Sequence, residues 1–360
     1  MRFNRRRFLN YGAQAGAFLG LGGLGMLQGC DDPEKSGEQS GRTTEASAMP
    51  KMVMQNSWIN DAEFLGYFIG IEDKIYDKHG LELSYLPGGP QIIPEASLLN
   101  GDADIALTTP ETTAQIIAKD KVELRIIGAQ YRVNPIGIVS IVHDDEEKNI
   151  TKLTDLIGKR LAVAPVNLLT VEAVLKKNQI DKNQIQFYPY KYDPRPLIEG
   201  QVDATVDFTT NVPFTIEKKS GKKTQSISLY DVGFPIYNDT VVVTEQTYQN
   251  RRTDLINWLR ASREAWEIAA KDGGNGPALA YIDKFMEDPK YFKDNGRSAE
   301  LEKEFNRRQI KLMKQPGGFF DMTPDDITAN IEALKLINLE LDRNVFAADL
   351  VEQAKIPTKS

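Results

Sequence analysis

The sequence predicts two α/β lobes, each a mostly parallel sheet flanked by helices, with the chain crossing between them twice. Three observations carry this expectation. Strand-like and helix-like runs alternate from Met52 onward. The segment "NGDADIALTTPE" (100–111) has an internal cousin in "EGQVDATVDFTTNVP" (199–213). Finally, "YDVGFPIYNDTVVVT" (230–244) reads as a strand returning to the first lobe before a long helical tail.

In the first lobe, "KMVMQNSW" is a short strand, and "AEFLGYFIGIEDKIYDKHG" has apolar residues at helical spacing and stops at Gly80. "LELSYLP" alternates as a strand, "PEASLLNG" is a short helix with a glycine stop, and "ADIALTT" is a buried strand. Pro110 opens the helix "PETTAQIIAKD", and "ELRIIGAQY" is the next strand. The second lobe starts near residue 142. "DLIGKRLAVAP" ends in a strand, "LTVEAVLKKNQI" is a helix and "IQFYPYKY" a strand. "PLIEGQVDATVDFTT" runs helix then strand, and "VPFTIEKKSG" is a helix. In both cousins the glycine suits a left-handed helix stop, and Asp102 and Asp203 read as turn chemistry. "RTDLINWLRASREAWEIAAKD" is strongly amphipathic, its Trp258 and Trp266 read as core, and helices continue to about Phe346.

The N-terminus reads as an address. A basic "NRRRFLN" precedes the short glycine-broken apolar run "YGAQAGAFLGLGGLGMLQGC", a secretory signal too short to span a membrane. Arg5-Arg6 with Phe8-Leu9 resembles the twin-arginine export signature, and "LQGC" resembles a lipobox whose cysteine, Cys30, becomes lipidated. Asp31-Asp32 resemble an inner-membrane retention signal. The expected organisation is a signal peptide over 1–29, a lipidated tether over 30–51, lobe 1 over 52–141 plus 238–360, and lobe 2 over 142–237. The protein is expected on the periplasmic side of the inner membrane, held there by its lipid.

Composition narrows the chemistry. Four of the 44 basic residues fall in the first 29, leaving 40 against 51 acidic ones. An acidic body without a long basic run argues against nucleic acid. One cysteine and two histidines (His79, His143) leave no material for an internal disulfide, a thiolate zinc site or a histidine-rich metal centre. No metal and no cofactor are expected.

In two facing α/β lobes, ligands sit at the strand-end loops. Trp58 ends the first strand, where an indole can stack on a heteroaromatic ring. Asn60 and Asp61 offer groups to ring nitrogens or amines, or cap the following helix. Tyr67 faces either the cleft or the helix core. Gly88-Gly89-Pro90 lacks the lysine and spacing of a phosphate loop, and reads as a cleft wall where backbone approaches a ligand closely. Thr108 and Thr109 place hydroxyls at a helix N-terminus, with Thr109 also suited to capping. Asn167, Asp207, Thr209 and Asn211 take matching strand-end positions in the second lobe. Tyr237 is a further stacking candidate near the second crossing. Tyr131 and Asp193 lie in or near loops; Arg132 and Arg195 are the arginines available to a sulfonate or carboxylate.

"NSWINDAEFLGYFIGIEDKIYDKHGLEL", "PGGP", "LNGDADIALTTPE", "LIGKRLAV", "GQVDATVDFTTNVP" and "VGFPIYNDTVVVTEQTYQNRRTDLINWLRASREAWEIAAKD" together resemble type II periplasmic solute-binding proteins. The nearest subgroup includes binders of the thiamine pyrimidine precursor, with riboflavin and alkanesulfonate binders alongside. The resemblance spans about residues 52–272. It implies the periplasmic-binding-protein type II fold, a small-molecule ligand held between the lobes, and delivery by a monomer to an ABC permease and its ATPase. A related branch of the fold makes the thiamine pyrimidine enzymatically with a cysteine-rich motif; this chain has no cysteine after Cys30. The expectation is therefore a binding protein, not an enzyme.

Overall fold

The computed structural model describes residues 49–355; the expectations for the signal peptide, for Cys30 and for most of the tether lie outside the described residues. Ten strands form two five-stranded sheets. They are β1 (Lys51–Gln55), β2 (Glu82–Leu86), β3 (Ile105–Thr108), β4 (Leu124–Tyr131), β5 (Ile136–Ile141), β6 (Arg160–Val163), β7 (Gln186–Pro189), β8 (Ala204–Phe208), β9 (Thr224–Ser228) and β10 (Asn238–Thr244). The first sheet has the order β2-β1-β3-β10-β4 and the second β7-β6-β8-β5-β9.

Within each sheet, three strands joined by helical crossovers are parallel: β2-β1-β3 and β7-β6-β8. The two strands that follow a crossing run against their neighbours, β5 between β8 and β9, and β10 between β3 and β4. A parallel pair needs a helix-sized return, whereas a strand arriving directly from the other lobe has none to supply. The sheets are therefore mixed.

One boundary moves. The run "IGIVSI" pairs in the second sheet, so the chain first crosses at Arg132–Pro135 rather than after residue 141. A strand buried on both faces has no periodicity that tells which sheet it joins. The long helix expected from Ala62 is also broken into a 3-10 turn (Ala62–Phe64) and helices Leu65–Glu72 and Ile75–Lys78, where Lys74 takes φ 52°.

The helix Arg252–Ala270 buries Leu255, Trp258, Leu259, Ser262, Trp266 and Ala269, the stripe its periodicity predicts. Helix Leu65–Glu72 lies against it, and Gly66 makes the approach possible: a Cβ there would sit 2.3 Å from the Trp266 ring. A second apolar cluster runs through the crossing region, joining Ile126, Ala129 and Val242 to Ile138, Leu161 and Val206 through Ile236, Ile327 and Leu334. A smaller cluster, with Val139, Ala162, Leu197, Val202 and Ile216, belongs to the second lobe alone.

The internal repeat has a structural meaning, with one adjustment. Asp104, not Asp102, is the counterpart of Asp203. Asp104 accepts from the Val53 amide at 2.9 Å and Asp203 from the Arg160 amide at 2.8 Å, each tying a strand start to its parallel neighbour. Gly101 and Gly200 stand three residues earlier with φ 79° and 73°.

After Gly274 the chain straps both lobes. Helix Pro324–Leu336 packs against helices Pro110–Asp120 of the first lobe and Pro165–Lys177 of the second. Helix Ala299–Met313 meets the second lobe's helix Val212–Ser220, where Glu300 pairs with Lys218 at 2.9 Å. Among the described residues no helix is long and apolar enough to cross a membrane.

Candidate functional site

The lobes meet along a seam built from strand-end loops. From the first lobe comes the loop after β1, whose Trp58 ring lies edge-on to Tyr192 of the second lobe, centroids 5.0 Å apart. Tyr192 in turn packs on Tyr190 at 5.7 Å, and the Tyr190 hydroxyl donates to Asp207 at 2.5 Å. Deeper in, Tyr131 at the end of β4 lies edge-on to Phe208 at 6.4 Å. A row of aromatic rings and one carboxyl thus crosses from lobe to lobe.

Beneath Trp58 the first lobe concentrates buried carboxyl groups. Asp61, Glu63, Asp239 and Glu302 are all under 5% exposed, with Arg297 the guanidinium among them. Asp61 caps the turn that follows it, accepting from the Glu63 amide at 2.9 Å, and its other oxygen accepts from Arg297 Nη1 at 2.9 Å. Glu302 accepts from the Ala62 amide at 2.7 Å and from Arg297 Nε at 2.8 Å. Asp239 accepts from Ser57 Oγ at 2.9 Å and from Gln130 Nε2 at 3.3 Å. It is the second residue of β10 and takes φ 45°, a left-handed conformation that a non-glycine residue adopts only under constraint.

These carboxyls hold protons more tightly than usual. Burial pushes Asp239 up to about 6 and Glu302 to about 7, the latter against the pull of Arg297. Glu63 rises well above the carboxylate range through burial, and then through Asp239 and Asp61 beside it. In the second lobe burial pushes Asp207 up to about 6, opposed by its bonds from Tyr190 and the Phe208 amide and by the charge of Arg297 across the seam. Burial in low dielectric disfavours the charged form, and one guanidinium cannot neutralise five carboxyls.

Of the residues expected from sequence, Trp58 and Asp207 stand on the seam. Asn211 is half-buried at the start of helix Val212–Ser220 with an unpartnered Oδ1, beside Thr210, whose buried hydroxyl is also unpartnered. Asn167 is half-buried in the first turn of helix Pro165–Lys177. Asn60 is tied to the Tyr85 hydroxyl and the Lys290 carbonyl, with its Oδ1 left over.

Others take structural places. Asp61 spends both oxygens on its cap and its ion pair, so it holds the loop rather than a ligand. Tyr67 is 0% exposed, stacked on Trp258 at 5.7 Å and edge-on to Trp266 at 5.8 Å; helix packing claims its ring. Thr108 donates to buried Glu95 at 2.8 Å, and Thr109 caps its helix through the Thr112 amide. Gly88 admits backbone rather than ligand: its amide donates to the Trp58 carbonyl at 2.9 Å, and a Cβ would sit 2.4 Å from the Asn56 carbonyl oxygen. Gly89 is buried, yet a Cβ there would meet no atom within 4 Å, and Pro90 is exposed. Tyr237 is 0% exposed in the apolar cluster of the crossing region. Arg132 is committed to Asp326 through two bonds of 3.0 and 3.1 Å, and exposed Arg195 to Asp193. Thr209 donates to the Pro135 carbonyl at 3.0 Å.

Glu63, Asp239, Arg297, Tyr190 and Tyr192 were not expected. Asp239 sits in "IYNDT", which reads as the start of a strand, and Arg297 is more than 230 residues from its partner Asp61. Only the "YPYKY" tyrosine run at the end of β7 carried a legible hint.

A two-lobed α/β body with its polar groups gathered at strand-end loops defines the class of hinged solute-binding folds. The family model described as NMT1/THI5 like matches residues 61–274, more than half of the chain, and the chain belongs to that family. Solved structures share the periplasmic-binding-protein fold. A putative periplasmic sulfonate-binding protein from Methylobacillus flagellatus is 12% identical with a TM-score of 0.60, over 85% of this chain and 94% of that one. The aliphatic sulphonate-binding protein of Escherichia coli is 13% identical with a TM-score of 0.59, over 80% and 91%. The nitrate-binding protein of Synechocystis is 13% identical with a TM-score of 0.60, over 85% and 88%. No curated protein matches the chain in sequence.

Proposed function

We propose that this protein is the lipid-anchored, extracytoplasmic solute-binding component of an ABC importer, and that its solute is a small aromatic heterocycle rich in hydrogen-bond donors, a thiamine pyrimidine precursor foremost. The family and the structural relatives, named as periplasmic binding proteins, support the transport role. Twin-arginine export and lipidation at Cys30 rest on the residues of the N-terminus. The protein acts as a monomer that captures solute between its lobes and presents the closed form to a permease and its ATPase. It carries out no chemistry of its own.

The observation that carries the ligand class is the excess of buried carboxyl groups at the seam. Asp239 bonds Ser57 next to Trp58, Glu63 lies beside Asp239, and Asp207 bonds Tyr190, which packs on Tyr192. Carboxyls and rings grouped in this way suit N–H groups and a flat ring. An alkanesulfonate is the second reading, because three structural relatives are named for sulfonates. It meets an obstacle here: Arg132 and Arg195 are paired elsewhere, and like charges brought together cost several kcal/mol. A flavin needs the same stacking and fewer donors.

A thermal-shift series on the purified protein with the hydroxymethyl aminopyrimidine of thiamine, riboflavin and taurine tests this. A true ligand at 100 times its Kd stabilises by about 2.7 kcal/mol. A shift with taurine alone overturns the heterocycle reading.

A further inference from the structure

Arg297 lies outside the stretch matched by the family model, in the segment between helices Ala278–Phe285 and Ala299–Met313, yet it reaches Asp61 in the loop after β1. Its guanidinium is held from three sides. Nη1 donates to Asp61 at 2.9 Å, Nε donates to Glu302 at 2.8 Å, and the plane lies over the Phe305 ring, 5.1 Å from its centroid. The residues that hold it are themselves saturated. Asp61 takes the Glu63 amide, Glu302 takes the Ala62 amide and Asn295 Nδ2, and Asn295 Oδ1 takes the Arg297 amide.

One group is left over. Nη2 is buried and has no partner among the described residues. A guanidinium stays protonated, so these donor hydrogens cannot be removed by titration. A buried charged donor without an acceptor is costly, and such a group in a folded protein calls for an occupant. Two further unpartnered atoms lie by Glu63 and Asp239, and Glu63 in turn has Asp61 and Arg297 as charged neighbours. Gln130 is 0% exposed and donates to Asp239 and to the Glu63 carbonyl while its Oε1 has no partner. The hydroxyl of Tyr67, also 0% exposed, lies within electrostatic reach of Asp239 and Glu63 and is unpartnered.

We propose that Arg297 is a ligand-binding residue whose free Nη2 donates to a ring nitrogen of the solute while Gln130 Oε1 and the carboxyls of Glu63 and Asp239 accept from an adjacent exocyclic amine. The solute class this selects is one with an amidine edge, a ring nitrogen beside an amino group, and the inference rests on the heterocycle reading above. A carbocycle with the same amine leaves Nη2 unpaired. A sulfonate satisfies Nη2 but brings a negative charge against Glu63, Asp239 and Asp207.

The experiment is a ligand-by-variant cycle read by calorimetry. The ligands are the hydroxymethyl aminopyrimidine of thiamine, its benzene counterpart with C–H in place of each ring nitrogen, and taurine. The proteins are the wild type, Arg297→Lys, which keeps a cation for Asp61 and Glu302, and Arg297→Gln, each checked for an unchanged melting cooperativity. The wild type is expected to prefer the pyrimidine over its benzene counterpart by roughly tenfold to a hundredfold, and both variants to lose that preference. If the variants discriminate as the wild type does, Arg297 does not touch the ring and the inference falls while the heterocycle reading stands. If the wild type binds taurine and not the pyrimidine, the heterocycle reading and the amidine edge fall together. A wild type that binds none of the three overturns both.

Discussion

The two lobes are built on the same plan and finished differently. Each has three parallel strands, a glycine stop and an aspartate that ties a strand start to its neighbour. The first lobe then acquires the helix Arg252–Ala270 and the C-terminal helices, and with them a core of Tyr67, Trp258, Trp266, Phe285, Phe292 and Phe320. The second lobe keeps a small aliphatic cluster of its own and shares the rest through the crossing region. Buried charge follows the same division. The first lobe holds four carboxyls and the arginine, and the second adds Asp207 and its tyrosines. A thick, rigid core keeps ionisable groups out of water in fixed geometry, and that core is the first lobe's.

Core truncation is the strongest way to break this contrast. Trp258→Ala is expected to cost about 3–5 kcal/mol and to lower Tm for the whole chain. Leu197→Ala, in the second lobe's own cluster, is expected at the low end of about 2–5 kcal/mol. Equal losses, measured by denaturant melts, would make the two cores equivalent.

Next come the raised carboxyls. Asp207 and Asp239, both up to about 6, bind more protons in the folded than in the unfolded chain between about pH 4 and 6. Their contribution therefore favours the fold at low pH and is lost as pH rises through 6. Each is worth on the order of 2–3 kcal/mol. Asp207→Asn is expected to raise Tm at pH 8 and to flatten its fall between pH 4 and 7; an unaltered profile would show Asp207 to be solvated.

Gly88→Ala forces a Cβ onto the backbone of residues 56–58, at an expected cost of about 1–3 kcal/mol, and displaces Trp58. Trp58→Ala leaves the fold intact and removes the stacking contribution, about 0.5–1.5 kcal/mol beyond burial. Titrations that find heterocycle affinity unchanged in Trp58→Ala would return this ring to a packing role. The smallest effect is expected from Lys218→Glu, which breaks an exposed pair with Glu300 worth at most about 1 kcal/mol.

Much of this was legible because it is local. The alternation of strand and helix, the stripe of Leu255, Trp258, Leu259 and Trp266, and the glycine stops follow from periodicity and backbone preference. Trp58 and Asp207 were legible because strand ends face the cleft in any sheet of this kind. Tyr67 stayed open between cleft and core, and Gly88 was read against ligand, because a helix face and a glycine look the same from sequence whether they meet ligand, core or backbone. The sheet that "IGIVSI" joins, and the meeting of Asp61 with Arg297, are pairings across the fold that no neighbouring residue encodes.

By itself, then, the sequence determined the fold class and the repeat, since each is written in nearest-neighbour chemistry and hydrophobic period. Tertiary structure alone decided where the charge is buried. Desolvation depends on which distant segments cover a carboxyl, and here residues 295–309, far along the chain, close over the loop that begins at Trp58.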